Sequence, residues 1–400
     1  MTIQEAKETV IIAGKRLVES GLIARTWGNV SCRISDTHFV ITPSGRDYIS
    51  LTPEEIVEVS ISDCSYSGNV KPSSEKGVHA EVYKKFADIN FVIHTHQDHA
   101  SSLSVIERSS IPVSKDFTTL QGEVICADYG LPGTKKLKKG VSNALSIAKG
   151  KAVIMKHHGA LCFNTDYESA FLVATELEEA CNRFIQEEYM KVSGKRECDP
   201  SALGLYALSL LTKNTIVSSQ KDKIPHCESE RSNQGFKLIH INETYYVPFD
   251  KQEDILSSHP KLLQEANLHN ESYKKNPSIH NIIHANTTGI QSVSSSGLKQ
   301  YPLLDDFAQI AGTSVLNLPV IPEPVSIALR KSSVVFLHNN GALCCGATKG
   351  DAEASALVAE KNCNALISAA IFGKVKYINA LECKLMRFVY LKKYSKQANK

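Results

Sequence analysis

The chain has 400 residues, 42% hydrophobic and 22% charged, which suits two or three globular domains and excludes a disordered polymer. A formal net charge of +3 is too small for a whole-molecule field that would gather nucleic acid, so no nucleic-acid partner is expected. The N-terminus lacks a basic stretch followed by an apolar core, and no run approaches the ~18 apolar residues of a membrane span. The eleven cysteines are scattered without a CxxC pair, so free thiols in a reducing cytoplasm, with no membrane partner, are expected.

In chain order, the opening segment predicts an amphipathic helix with Ala6, Val10, Ala13 and Leu17 at helical spacing. "THFVITPSG" predicts a short strand running into a turn, and "EKGVHAEVYKKF" a helix with Val78 and Val82 on one face. "INFVIHTH" reads as a strand, and "KAVIMKHHGALC" as another that ends at Gly159. "DYESAFLVATELEEACNRFIQEEYMK" predicts a long helix started by Asp166 as its N-cap. Alternating strands and helices argue for a layered α/β fold. Between about residues 190 and 235 the pattern is polar and broken by Gly and Pro, so domains at 1–215 and 216–400 are expected. The basic "RFVYLKKYSKQANK" reads as a solvated terminus.

An internal repeat organises the whole chain. Residues 75–96 and 265–286 align at a constant offset of 190, with nine of 22 positions identical, among them Glu75/Glu265, His79/His269, Tyr83/Tyr273 and His94/His284. "HHGALC" at 157–162 matches "NNGALC" at 339–344, at an offset of 182. The chain therefore reads as a tandem duplication of one α/β unit. The second copy keeps core and turn residues but has Asn286 for His96 and Asn340 for His158.

His94 and His96 are two apart, and on a strand such residues share a face, so both imidazoles can reach one ion. His158, just before Gly159, is the natural third ligand; three histidines and an open position make the pattern of a catalytic zinc site, although imidazole suits other divalent ions. The ordinary alternative for a histidine at a strand end is structural. His79 and His99 are assigned that role, and His157 is expected to point away from His158. Glu75 opens a helix and has two readings, a general base beside a metal-bound substrate or an acidic residue favourable to the helix dipole. Small polar turns supply Thr26, Gly28 and Asn29, then Ser44 and Gly45, then Ser73 and Ser74, groups that suit a phosphate monoester.

Read in order, "GNVS", "TPSG", "SSE", "HTH" and "HHGAL" resemble the class II aldolase/adducin family, nearest its L-fuculose-1-phosphate aldolase branch. The resemblance covers roughly residues 5–190 and, in degenerate form, about 235–375. It implies a three-layer α/β/α domain and one divalent ion per chain, most often Zn2+, held by His94, His96 and His158. It implies Glu75 as catalytic acid/base, and a substrate phosphate near Thr26, Gly28, Asn29, Ser44, Gly45, Ser73 and Ser74. The implied reaction is retro-aldol cleavage of a ketose phosphate to dihydroxyacetone phosphate, or a related enediolate product, and an aldehyde. Sister reactions on the same site are a pentulose-phosphate 4-epimerase and a thioribulose-phosphate dehydratase; the glutamate after "SS" favours the aldolase. A non-catalytic adducin-like binding protein is the third possibility, against which the retained histidines argue. A tyrosine of the branch is replaced here by Asp116, leaving the second proton donor unassigned, and Tyr129 has no assigned role. Single-copy members form tetramers, so a dimer of two-domain chains is expected.

Overall fold

The structure is a computed structural model that describes residues 1–23, 27–213, 216 and 223–393. Its contacts divide it into two units, one built on Met1–Glu188 and the other on Tyr189–Tyr390. Each is described by itself.

The first unit opens with α1 (Ile3–Glu19), whose buried stripe includes Ala6, Val10, Ala13 and Leu17, and whose Thr2 and Glu5 form a reciprocal cap. The strands are β1 (Asn29–Arg33), β2 (His38–Ile41), β3 (Val57–Ser60) and β4 (Phe91–Thr95), then β5 (Ser110–Pro112), β6 (Glu123–Ala127), β7 (Ala152–Met155) and β8 (Gly159–Asn164). The other helices are α2 (Lys76–Lys85), α3 (Asp98–Leu103), α4 (Lys135–Ile147) and α5 (Tyr167–Ser193). Asp166 accepts from Ser169 N–H at 2.9 Å at the start of α5, as an N-cap does.

The eight strands form one sheet in the order β3-β2-β1-β4-β8-β7-β6-β5. One face carries Phe39, Val92, Val153 and Leu161 against Val78 and Val82 of α2 and Leu137 and Val141 of α4. Phe91, one residue out of phase with Val92, sets its ring against Tyr167 of α5, 6.0 Å away. Helices on both faces make a three-layer α/β/α domain.

The stretch "KAVIMKHHGALC" is not one strand. β7 and β8 are antiparallel, with Met155 opposite Gly159. Lys156–His158 form the hairpin tip, and His157 adopts a left-handed φ of 60°. Apolar residues flank the tip on both sides, so periodicity cannot mark the reversal. Gly159 makes it possible: a Cβ there would sit 2.2 Å from Thr95 O, so only glycine lets β4 approach.

The second unit repeats the plan. It contains α6 (Pro200–Thr212), β9 (Glu228–Arg231), β10 (Gly235–His240), β11 (Glu243–Pro248), α7 (Gln252–Leu256), α8 (Pro260–Lys275) and β12 (Asn281–Ala285). There follow α9 (Thr288–Ser296), α10 (Asp305–Ala311), β13 (Asn317–Leu318), α11 (Pro322–Ala328), β14 (Val334–Leu337), β15 (Ala342–Gly346), α12 (Lys349–Ile371) and α13 (Ala380–Lys393). The sheet order is β11-β10-β9-β12-β15-β14-β13, strand for strand that of the first unit without its β5 edge. Where the first unit pairs Ser110 with Ile125, the second keeps a single bridge between Gln300 and Val315, each 190 residues on. The fold is thus a tandem duplication.

No helix among the described residues is long and apolar enough to cross a membrane. All eleven cysteines are free thiols, nine of them buried together with most of the apolar core.

Candidate metal centre and active site

Four elements meet at one end of β4. β1 and β8 flank β4, so Asn29 pairs with His94 on one side and Leu161 on the other. Gly28, with φ 113°, lets the chain enter β1 here; a Cβ would sit 2.7 Å from His94 O. The tip of the β7–β8 hairpin brings His158, and the start of α2 brings Glu75.

These four side chains converge. Glu75, His94, His96 and His158 are all buried, and one ligand atom from each lies within 4.8 Å of the others. His94 Nε2 is 3.0 Å from His96 Nε2 and 3.0 Å from Glu75 Oε2. His158 Nε2 is 3.0 Å from Glu75 Oε1, and the His94 and His158 rings stack with centroids 4.8 Å apart. His94 Nδ1 lies 2.9 Å from Ala160 O; it donates to that carbonyl, so Nε2 turns a lone pair inward. Three imidazoles and one carboxylate around a common point are a donor set that fits a divalent ion such as Zn2+.

Glu75 is the N-cap of α2 by position, yet its side chain makes no capping bond. Its carboxylate turns to the imidazoles instead. Burial pushes that carboxyl up, but His158 and His94 outweigh it and hold it well below the usual carboxylate range.

The polar turns are placed as follows. A bridge between Pro43 and Pro72 lays the "TPSG" and "PSSE" turns side by side. Ser44 N–H donates to Lys71 O at 2.9 Å, and Ser73 N–H to Thr42 O at 3.0 Å. Ser74 is exposed, and the Glu75 N–H donates to Ser73 Oγ at 3.2 Å. Thr26 lies outside the described residues. Asn29, expected among the phosphate contacts, has its amide engaged otherwise: Oδ1 meets His79 Nε2, and Nδ2 lies 3.4 Å from Glu75 Oε2.

The other histidines sort themselves. His99 Nδ1 is 2.8 Å from Glu178 Oε1, outside the cluster. His157 is buried with its ring 5.3 Å from Tyr129. Asp116 is 85% exposed, accepts from Ser114 at 2.7 Å and faces Arg183 at 4.0 Å. His79 is more than a filler: Ser31 Oγ lies 2.6 Å from its Nδ1 and 2.7 Å from the Tyr83 hydroxyl. Sequence reasoning left His79 as structural and gave Ser31 and Tyr83 no part in the site, although His79 and Tyr83 recur with Glu75 in the second copy.

That copy has a different arrangement. Glu265 is fully buried, 3.0 Å from His269 Nε2 and 2.8 Å from His284 Nδ1. The other nitrogen of His284 donates to Asn340 O, and Asn340 Oδ1 accepts from Ile224 N–H at 3.0 Å. No second group of three or more metal-ligating residues occurs among the described residues.

Residues 8–185 and 230–367 match the family described as Class II Aldolase and Adducin N-terminal domain, and the chain belongs to that family. It is 31% identical over 187 residues to a 5-deoxy-D-ribulose 1-phosphate aldolase of Bacillus thuringiensis, covering 46% of this chain and 87% of that relative. It is 35% identical over 159 residues to an L-fuculose phosphate aldolase of Escherichia coli, covering 40% and 72%. A solved L-fuculose 1-phosphate aldolase superposes with a TM-score of 0.42 at 30% identity, over 45% of this chain and 84% of the other.

Proposed function

We propose that the first unit is a metal-dependent aldolase that cleaves a ketose phosphate into dihydroxyacetone phosphate, or a related enediolate product, and an aldehyde. The buried convergence of Glu75, His94, His96 and His158 carries this reading. The relatives named as sugar-phosphate aldolases support it.

His94, His96 and His158 would hold one divalent ion, Zn2+ by preference, with Glu75 on or beside it. Bound there, such an ion supplies a Lewis acid for a ketose carbonyl and its neighbouring hydroxyl. Glu75 handles the proton. In cleavage, the hydroxyl beyond the breaking carbon–carbon bond gives its proton to solvent as its oxygen becomes the aldehyde, and the electron pair left on the carbon next to the carbonyl takes a proton that the Glu75 carboxylate has drawn from solvent. In condensation the ionised carboxylate removes that proton, and its depressed pKa keeps it ionised at rest. The adjoining turns with Ser44, Gly45, Ser73 and Ser74, beside the backbone at Gly28, cradle the phosphate with hydroxyl and amide donors at the start of α2. The free thiols suit a cytoplasmic enzyme, and the duplication suits a dimer of two-domain chains.

The test is a panel of ketose 1-phosphates and pentulose 5-phosphates, followed for both dihydroxyacetone phosphate release and epimer formation. Release of dihydroxyacetone phosphate from one member is the expected result. Epimer without cleavage would reassign the reaction, and inertness toward the whole panel would favour a binding protein.

A further inference from the structure

A file of buried polar side chains leads from α2 to the Glu75 carboxylate. It runs from Tyr83 to Ser31 at 2.7 Å, from Ser31 to His79 Nδ1 at 2.6 Å, from His79 Nε2 to Asn29 Oδ1, and from Asn29 Nδ2 to Glu75 Oε2 at 3.4 Å. All five residues are less than 8% exposed. An ionised carboxylate can only accept, so Asn29 must present its amide NH2 to Glu75 and its oxygen to His79. His79 then carries its proton on Nε2, Nδ1 accepts from the Ser31 hydroxyl, and Ser31 accepts from Tyr83. Burial, with His94 nearby, pushes His79 down to about 3, so the ring is neutral and has only one proton to place. The direction of every bond in the file follows from its last member.

The second unit contains the same file with one member missing. Ser229 Oγ lies 2.7 Å from His269 Nδ1 and 2.8 Å from the Tyr273 hydroxyl. Across the sheet Ser229 pairs with Ile282 as Ser31 pairs with Val92, 190 residues earlier. The position of Asn29 is therefore Cys227. There the carboxylate has closed directly onto the histidine: Glu265 Oε1 is 3.0 Å from His269 Nε2. The chain thus holds its own comparison of the site with and without the asparagine.

We propose that Asn29, oriented by His79, Ser31 and Tyr83, is a positioning residue that keeps the Glu75 carboxylate off His79 and turned toward His94 and His158. The structural claim stands alone; its kinetic consequence rests on the aldolase reading. Without the spacer, Glu75 folds back onto His79 as Glu265 does onto His269.

The experiment uses the full-length, zinc-loaded protein and dihydroxyacetone phosphate in heavy water, followed by proton NMR. Glu75 takes a proton from the hydroxymethyl carbon, exchanges it with solvent, and returns a deuteron to the same carbon. In Asn29→Cys the exchange rate falls about 10–100-fold, the usual cost of losing a partner behind an active group, while zinc per chain is unchanged. A crystal structure of that variant shows Glu75 hydrogen-bonded to His79. His79→Leu loses exchange likewise. His79→Gln, whose terminal amide donates from nearly the same place, recovers most of it; a merely structural histidine gives no such split. Should Asn29→Cys not fold, Asn29→Ser takes its place. Wild-type exchange in the asparagine variant, or equal loss in both His79 variants, overturns the proposal. If the wild type itself does not exchange, the aldolase reading fails, and the Glu75–His79 contact in the Asn29→Cys crystal structure alone decides: closed supports the proposal, open overturns it.

Discussion

At the scale of single residues, the site depends on which atoms can accept. Glu75→Gln keeps the shape of the side chain and the imidazoles, but an amide cannot take a proton from carbon. Metal content should stay, and turnover should fall by about 100-fold or more, the usual worth of a positioned acid/base; an unchanged rate would remove Glu75 from the chemistry. His96→Ala and His158→Ala should each lose the metal and the activity together, read by metal analysis beside the assay. The buried cluster of Glu75, His94, His96 and His158 was legible in the sequence because His94 and His96 obey the two-residue period of a strand, and because Asn286 and Asn340 mark what the fold can do without. The Asn29 file was not legible: it joins residues 29, 31, 79 and 83, which only the β1–α2 packing brings together. Glu265 makes a different point. Burial pushes its carboxyl up, but His284 and His269 bring it down to about 2, while Glu265 raises His284 against the effect of burial. The depressed acid contributes stability that is present above its ordinary 4.5 and lost as pH falls toward 2. The raised base contributes stability present below its ordinary 6.5 and lost as pH climbs through its folded value. Glu265→Gln should therefore cost about 3 kcal/mol, the order expected for breaking a buried pair. Denaturant unfolding of variant and wild type at several pH values should give the largest gap between 4.5 and 6.5; a pH-independent gap would mean the pair is not ionised.

At the scale of elements, the β7–β8 hairpin does what sequence periodicity hid. Its tip takes a left-handed residue at His157 and again at Asn339, with φ near 60° in both. Asparagine tolerates that region readily, and histidine stands there in the one copy whose next residue joins the Glu75–histidine cluster. The glycine that follows is needed in both copies, since a Cβ would sit 2.2 Å from Thr95 O in one and 2.3 Å from Ala285 O in the other. Alanine at either glycine should cost about 1–3 kcal/mol or more, as forced overpacking does. The two variants should part in their chemistry. Gly159→Ala shifts His158 and should weaken metal binding as well as stability. Gly341→Ala should lower stability and leave the metal untouched. Thermal unfolding beside metal analysis reads both, and metal loss in Gly341→Ala would contradict the placement of the site. Helices α1, α2 and α5 and strands β2 and β4 could be read from the sequence, because amphipathic spacing and apolar runs follow directly from burial. The hairpin could not, because β7 and β8 are apolar on both faces and only chain reversal distinguishes them from a longer strand.

At the scale of the whole molecule, one fold appears twice and one candidate metal centre, among the described residues, once. The second unit did not simply lose ligands; its groups found other partners. His284, at the position of His94, has both ring nitrogens engaged by acceptors, Nδ1 by Glu265 Oε1 and Nε2 by Asn340 O. No lone pair is left to face an ion. His94, by contrast, donates from Nδ1 to Ala160 O and keeps Nε2 for the centre. Asn340 is tied to Ile224, and the His226 ring stands 4.6 Å from His284, so the segment before β9 fills the space. Purified protein should carry about one divalent ion per chain. The sharper prediction concerns the double reversion Asn286→His with Asn340→His, which restores the counterparts of His96 and His158 beside His284. Ligand identity alone would give two ions per chain. Since Glu265 holds His284 closed, and Cys227 leaves Glu265 free to do so, the reverted protein should still bind one. Adding Cys227→Asn, which puts back the spacer between carboxylate and histidine, is the change expected to open the second site. Metal counted per chain in the double and triple variants decides the matter, and two ions in the double variant would show that the carboxylate's partner does not govern the site.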